Sequence, residues 1–212
     1  TFTRLWKQVG QNIHIYKNFP RLIGECGGKN YHFVHPTADV DTVVNGTIRS
    51  AFEYCGQKCS ACSRMYVPES LWPQRIKSYI DHAKSSPNLE IIGGGKCDDS
   101  VGYFVEPTIV QTKDPLDKIM TEEIFGPVLT IYVYKDNKVQ DTLDLIGNST
   151  SFALTGAVFA QDEQFLKKAM EDLKMTAGNF YVNDKSTGSV VGQQPFGGAR
   201  MSGTNDKAGA PT

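Results

Sequence analysis

Three observations predict an α/β fold for this chain of 212 residues. Short apolar runs, several rich in β-branched and aromatic residues, recur along its length. Segments with apolar residues three and four apart separate them, which is the amphipathic-helix spacing. The hydrophobic share is 40% at a formal net charge of −1, so the chain can bury a core and disorder is not expected. The length fits one domain or one and a half.

Taken in order, Val40, Val43, Val44, Thr47, Ile48, Ala51 and Phe52 share one helical face. Thr37 or Asp39 is the expected cap of that helix and Gly56 its expected stop. Cys59 then falls in the turn beyond, and residues 64–67 form the strand that follows. Ile76, Tyr79, Ile80 and Ala83 mark a second helix that stops before Pro87. Residues 89–92 and 103–110 read as strands with a turn at Gly93, Gly94 and Gly95 between them. Residues 128–134 form a strand of β-branched and aromatic residues. Residues 139–146 are expected to be helical and 157–160 to form a short buried strand. Phe165, Leu166, Ala169, Met170 and Leu173 make another helical stripe, and 180–183 a final strand. The Gly- and Ser-rich remainder reads as loop, and a loop that long in a compact domain suggests function.

With 22 basic and 23 acidic residues, no nucleic acid or anionic membrane partner is expected. No apolar run approaches the roughly 20 residues that span a bilayer. The five cysteines (Cys26, Cys55, Cys59, Cys62 and Cys97) are odd in number and unevenly spaced, which argues for a reducing compartment over a disulfide framework. The run Thr1-Phe2-Thr3-Arg4 shows no signal or transit peptide and no initiator Met, so a piece of a longer protein is expected.

Chemistry concentrates at Cys59, in Gly56-Gln57-Lys58-Cys59-Ser60-Ala61-Cys62-Ser63-Arg64, and at Glu25, in Gly24-Glu25-Cys26-Gly27-Gly28-Lys29. A thiol nucleophile with a carboxylate base is the minimum kit for making and hydrolysing a thioester. Lys58 and nearby N–H groups are expected to lower the thiol below its free value near 8.5. Cys26, Cys55 and Cys97 read as small buried apolar groups. Alone, Glu25 would read as a solvated residue of a glycine-bounded turn; Gly27 and Gly28 would allow close backbone approach. Cys59 and Cys62 also form a C-x-x-C, open to a redox or zinc reading. Zinc needs a second ligand pair, which His14, His32, His35, His82 and Cys97 do not supply, so no metal is expected. The histidines read as structural or exposed. The run 122–127 is a helix end leading into a strand, or a cofactor contact with Glu123 on ribose hydroxyls and Phe125 against a flat ring. The runs 185–189 and 194–198 are a surface loop, or a cradle whose N–H groups and hydroxyls face an anion.

Together these runs resemble the aldehyde dehydrogenase superfamily. The matching residues are Glu25-Cys26-Gly27-Gly28-Lys29, Gly56-Gln57-Lys58-Cys59, Glu123-Ile124-Phe125-Gly126-Pro127 and Pro195-Phe196-Gly197-Gly198, in family order. The resemblance covers nearly the whole chain. It implies a three-layer αβα catalytic domain over 1–212, without the preceding NAD-binding region and the C-terminal oligomerisation strand. It also implies that several dozen residues, a helix among them, are missing between Gln74 and Arg75. By resemblance, Cys59 is the nucleophile and Glu25 the general base. Glu123 and Phe125 are contacts to the nicotinamide side of NAD, and Ser60, Gly188, Ser189 and Phe196 form the substrate pocket. Gly188 and Ser189 lie in the loop that anchors a carboxylate. Finer likeness, in Cys26, in 59–64 and from 186–189 through Asn205-Asp206-Lys207, is to members that oxidise glutamate γ-semialdehyde in the mitochondrial matrix during proline breakdown. The implied partners are a small aldehyde and, for full-length members, further copies of themselves. Two alternatives stand beside this: a catalytically silent interaction fragment, and a thiol-redox or zinc module at Cys59 and Cys62.

Overall fold

The computed structural model describes residues 1–71, 88–98, 100–102, 104–190 and 192–209. The helix expected over 76–83 and the join of Gln74 to Arg75 lie outside the described residues. Among those residues the strands are β1 (Asn30–Val34), β2 (Cys62–Pro68), β3 (Leu89–Gly93), β4 (Cys97–Asp98), β5 (Phe104–Val105), β6 (Thr108–Thr112), β7 (Val128–Tyr134), β8 (Phe152–Ala153), β9 (Thr155–Phe159), β10 (Asn179–Val182) and β11 (Ala199–Arg200). The α-helices are α1 (Phe2–Gln11), α2 (Val40–Phe52), α3 (Lys118–Thr121), α4 (Val139–Asn148) and α5 (Glu163–Leu173).

Seven strands make one sheet in the order β10-β9-β1-β2-β7-β6-β3. Every neighbouring pair is parallel except β3 with β6. Side chains alternate across β1. Tyr31 and Phe33 join the core that holds Leu143 and Ile146 of α4 and Ala169 and Leu173 of α5. Val34 joins the opposite core with Val43 and Ala51 of α2, and His32 bonds Thr47 of α2 through Nδ1 at 2.9 Å. With period-two strands and helices on both faces, the fold is the expected three-layer αβα arrangement.

Arg64 of β2 is fully buried, and its cation is tied from several sides. Its Nε donates to the Lys29 carbonyl at 2.9 Å, Nη1 donates to the Tyr66 hydroxyl at 3.1 Å and to the Ser149 hydroxyl, and the guanidinium lies over the Tyr31 ring at 5.4 Å.

Several expectations need correction. Helix α2 ends at Phe52, not near Gly56: the Glu53 N–H closes on Arg49 O, and Tyr54 and Cys55 then turn left-handed with φ of 54° and 56°. Asp39 is its cap, accepting from the Thr42 N–H at 2.8 Å; Thr37 instead accepts from the Gln161 and Asp162 N–H groups. The strand expected over 103–110 divides into β5 and β6 on either side of Pro107, which has no N–H for a ladder. Glu25 lies in extended backbone bridged to Gly203, not in a turn. Neither α1, which buries none of its residues, nor the central strand β1 was expected from the sequence.

Candidate active site

The site forms where the chain enters the parallel strands. Residues 25–28 lead into β1, Cys59 leads into β2, Phe125 and Gly126 lead into β7, and Thr155 opens β9. Because β1 lies between β9 and β2, and β2 beside β7, these entry loops converge on one edge of the sheet.

The loop that carries Cys59 leaves α2 through the left-handed residues Tyr54, Cys55 and Gly56. Gly56 (φ +67°) sits where a Cβ would fall 2.3 Å from the Gly126 carbonyl oxygen, so only glycine lets this loop meet the one before β7. Three consecutive carbonyls then fix the loop from behind. Asn30 Nδ2 donates to Cys59 O at 2.7 Å and to Ala61 O at 2.9 Å, while its Oδ1 accepts from the Thr155 N–H at 2.9 Å. Ser60 O accepts from the Ser186 hydroxyl at 3.2 Å and the Thr155 hydroxyl at 3.3 Å. Ser186 is itself held by the Ser50 hydroxyl and donates its N–H to His32 Nε2. An accepting Nε2 leaves the proton of this neutral imidazole on Nδ1, facing Thr47. The expectation of structural histidines holds for His32, which burial keeps neutral with its pKa lowered to about 3.

The facing wall is the run 25–28. A Cβ on Gly28 would lie 2.8 Å from Cys59 O, so the two loops touch backbone to backbone. Glu123 folds over the same turn: its Oε1 accepts from the Gly28 N–H at 2.8 Å. Cys59, Gly28, Glu123 and Phe125 line one cleft. Phe125 has φ of 56° and half its surface exposed, which presents the ring at the mouth of that cleft.

Glu25 accepts from the Gly198 N–H at 3.3 Å. Burial raises its carboxyl above the usual range, against the lowering effects of the Gly198 bond and the Lys207 charge. The Cys59 thiol is also raised, first by burial and then by the Glu25 charge, with a smaller contribution from Glu123; the N–H groups of Ser60 and Cys59 act the other way. The sequence expectation of a lowered thiol is therefore reversed. Lys58 turns away to pair with Glu53 at 2.9 Å. Cys62 is buried with its thiol directed at Arg64 O, and burial pushes it up to about 12, the reverse of what a C-x-x-C redox pair needs.

Of the residues expected to form a substrate pocket, Ser60 belongs to the loop that carries Cys59. Gly188 donates to Lys185 O at 3.1 Å and the Ser189 hydroxyl to Gln194 O at 3.0 Å, so both brace their own loop. Ser186 ties that loop to Ser60. Phe196 pairs with Ala208 through two backbone bonds, beside the turn that carries Gly198 to Glu25. Sequence reasoning missed Asn30 and Thr155, and it gave Ser186 and Lys207 no role of their own within the runs that contain them; of the three cysteines expected to be buried, Cys55 and Cys97 are exposed and Cys26 is half-buried. Asn30 directly follows Gly27-Gly28-Lys29, and that adjacency was its one available signal.

A model of the aldehyde dehydrogenase family matches residues 3–88 and 73–212. The chain is 59% identical over 246 aligned positions to the mitochondrial Delta-1-pyrroline-5-carboxylate dehydrogenase of Danio rerio and 58% identical to that of Homo sapiens. Each alignment covers 100% of the chain and 44% of the relative. Among solved structures, the Delta-pyrroline-5-carboxylate dehydrogenase from Mycobacterium tuberculosis bound with NAD gives a TM-score of 0.83 at 42% identity, covering 99% of this chain and 44% of that one. The 1-pyrroline-5-carboxylate dehydrogenase from Thermus with bound NAD gives 0.85 at 31% identity, covering 99% and 46%. The chain thus spans less than half the length of the curated relatives it matches. The family model accounts for nearly every residue, the cleft included, and this chain belongs to the aldehyde dehydrogenase family.

Proposed function

We propose that this chain is the catalytic portion of an NAD-dependent dehydrogenase that converts glutamate γ-semialdehyde, derived from Δ1-pyrroline-5-carboxylate, into glutamate. The observation that carries the reading is the packing of the run 25–28 against the Cys59 backbone, where a Cβ on Gly28 would lie 2.8 Å from Cys59 O, with the Glu25 charge acting on the thiol from the same run. The names of the similar proteins support the substrate, and the two NAD-bound structures support the cofactor.

In this reading the Cys59 thiolate adds to the aldehyde carbon. The N–H groups of Cys59 and Ser60, which face the sulfur, hold the developing oxyanion. NAD, when bound, supplies the hydride acceptor. The exposed Glu123 carboxylate and Phe125 ring, at the mouth of the cleft, are the residues of this chain that fit its nicotinamide end. Loss of hydride from the substrate carbon leaves an acyl group on Cys59 as a thioester. Glu25 then takes a proton from water, whose oxygen attacks the acyl carbon and releases glutamate and the thiol. Burial makes this carboxylate a stronger base than a free one, which suits the task. Gly188, Ser189, Phe196 and Ser60 form the substrate pocket. The Thr187 hydroxyl, buried and without a hydrogen-bond partner among the described residues, supports an anion cradle in that loop. The relatives' names support a mitochondrial location, and a homo-oligomeric assembly of the whole protein is part of the same proposal.

The test uses the longer enzyme that carries this chain. Cys59→Ala is expected to abolish NAD reduction. Glu25→Gln is expected to keep a rapid first turnover and slow the steady state by roughly two orders of magnitude, the usual worth of a general base. A Glu25→Gln enzyme with normal steady-state turnover would remove Glu25 from the hydrolytic step.

A second reading rests on a separate observation. The relatives align over 246 positions, more than the 212 residues present, and the two family-model matches overlap at 73–88. A chain shortened there would act as a silent partner for longer subunits. Co-migration of the two without NAD reduction by this chain would favour that reading.

A further inference from the structure

We propose that Lys207 is a positioning residue for Glu25, acting through the single peptide unit that joins Gly197 to Gly198. Lys207 Nζ donates to the Gly197 carbonyl at 2.8 Å and to the Gly178 carbonyl at 2.5 Å. The other end of the same peptide, the Gly198 N–H, donates to Glu25 Oε2 at 3.3 Å. An ammonium that pulls on a peptide oxygen polarises the group and makes its N–H a stronger donor. Glu25 therefore feels the lysine twice, along the peptide and through space. The through-space part is reciprocal: the ammonium favours the ionised carboxylate, and the carboxylate favours the ammonium.

The turn itself does not depend on Lys207. Asn179 Nδ2 donates to Pro195 O at 2.9 Å and Asn179 Oδ1 accepts from the Gly197 N–H at 3.1 Å, so both sides of Phe196 are fixed from β10. Among the described residues, Cys26 beside Glu25, Cys59, and Glu123 on the Gly28 N–H are also ionisable, and none brings positive charge. Arg21 and Asp206 pair with each other at 3.8 Å. Lys207 is thus the cation that offsets the burial of Glu25 and keeps it ionised and aimed from the Gly198 side.

This inference rests on the reading of Glu25 as general base, but its test does not need turnover. The carboxyl carbon of Glu25 is titrated by NMR in the chain labelled at glutamate Cδ, the signal being assigned by its loss in Glu25→Gln. Lys207→Gln retains a donor for the two carbonyls without the charge, and Lys207→Arg retains the charge. The midpoint of Glu25 is expected to rise in Lys207→Gln and to stay near its wild-type position in Lys207→Arg. Should neither variant fold, the Lys207 ammonium is titrated in Glu25→Gln, where its midpoint is expected to fall. An unmoved midpoint in either experiment overturns the proposal. A moved midpoint alongside normal thioester hydrolysis by Glu25→Gln would instead overturn the role given to Glu25.

Discussion

Removal of the Glu25 charge should make Cys59 easier to ionise. The carboxylate raises the thiol, so Glu25→Gln lowers it and increases the thiolate fraction at a given pH. Alkylation of Cys59 by iodoacetamide, followed by peptide mass spectrometry across pH, is expected to shift to lower pH in the variant. A profile that stays in place or moves up would mean the two side chains do not share a cleft. At this scale the sequence was legible in the runs that converge: Gly28, Cys59, Glu123 and Phe125 lie in three of the runs singled out there, and they line one cleft. It misled at Lys58, whose proximity in sequence to Cys59 counts for less than its ion pair with Glu53. Asn30 and Lys207 were illegible because each acts on backbone carbonyls of residues remote in sequence or across a turn.

Among the elements, the contact between the two loops that enter β2 and β7 is the most exposed to a single substitution. Gly56→Ala would have to hold a Cβ at φ +67°, which costs about 1–2 kcal/mol, and would drive it against the Gly126 carbonyl oxygen. A loss of at least about 2 kcal/mol is expected in urea unfolding, with faster proteolysis near Phe125. Unchanged stability would show that the loops tolerate separation. Helix α5 could be read from periodicity, and β7 from its run of β-branched and aromatic residues. Strand β1 was missed although Asn30-Tyr31-His32-Phe33 alternates in polarity: the run is short, all five of its residues are buried, and His32 on its polar face meets α2 rather than water. Helix α1 was overlooked although Phe2, Leu5, Trp6 and Val9 recur at helical spacing; none of its residues is buried.

For the whole molecule, acid sensitivity follows from a histidine in the central strand. His32 stays neutral in the fold down to about pH 3, whereas an unfolded histidine takes up a proton near 6.5. The stability it contributes is complete above about pH 6.5 and is lost as pH falls toward 3, by up to about 1.4 kcal/mol per unit. Urea midpoints at pH 7 and pH 5 are expected to differ by an amount corresponding to about 2 kcal/mol, and His32→Gln to flatten that difference. An equal slope in the variant would place the acid-sensitive group elsewhere. The fold class was visible from alternating strand and helix patterns. The order of strands was not, because it depends on crossovers that bring β9 and β2 to either side of β1.

Cys59, Ser60 and Ala61 all turn their oxygens toward donors at the rear. With those oxygens engaged behind, the backbone of this loop offers the N–H groups of Cys59 and Ser60 on the side of the sulfur. Under the function proposed above, an arriving aldehyde oxygen would therefore meet donors already fixed in place from the rear before any bond to sulfur forms.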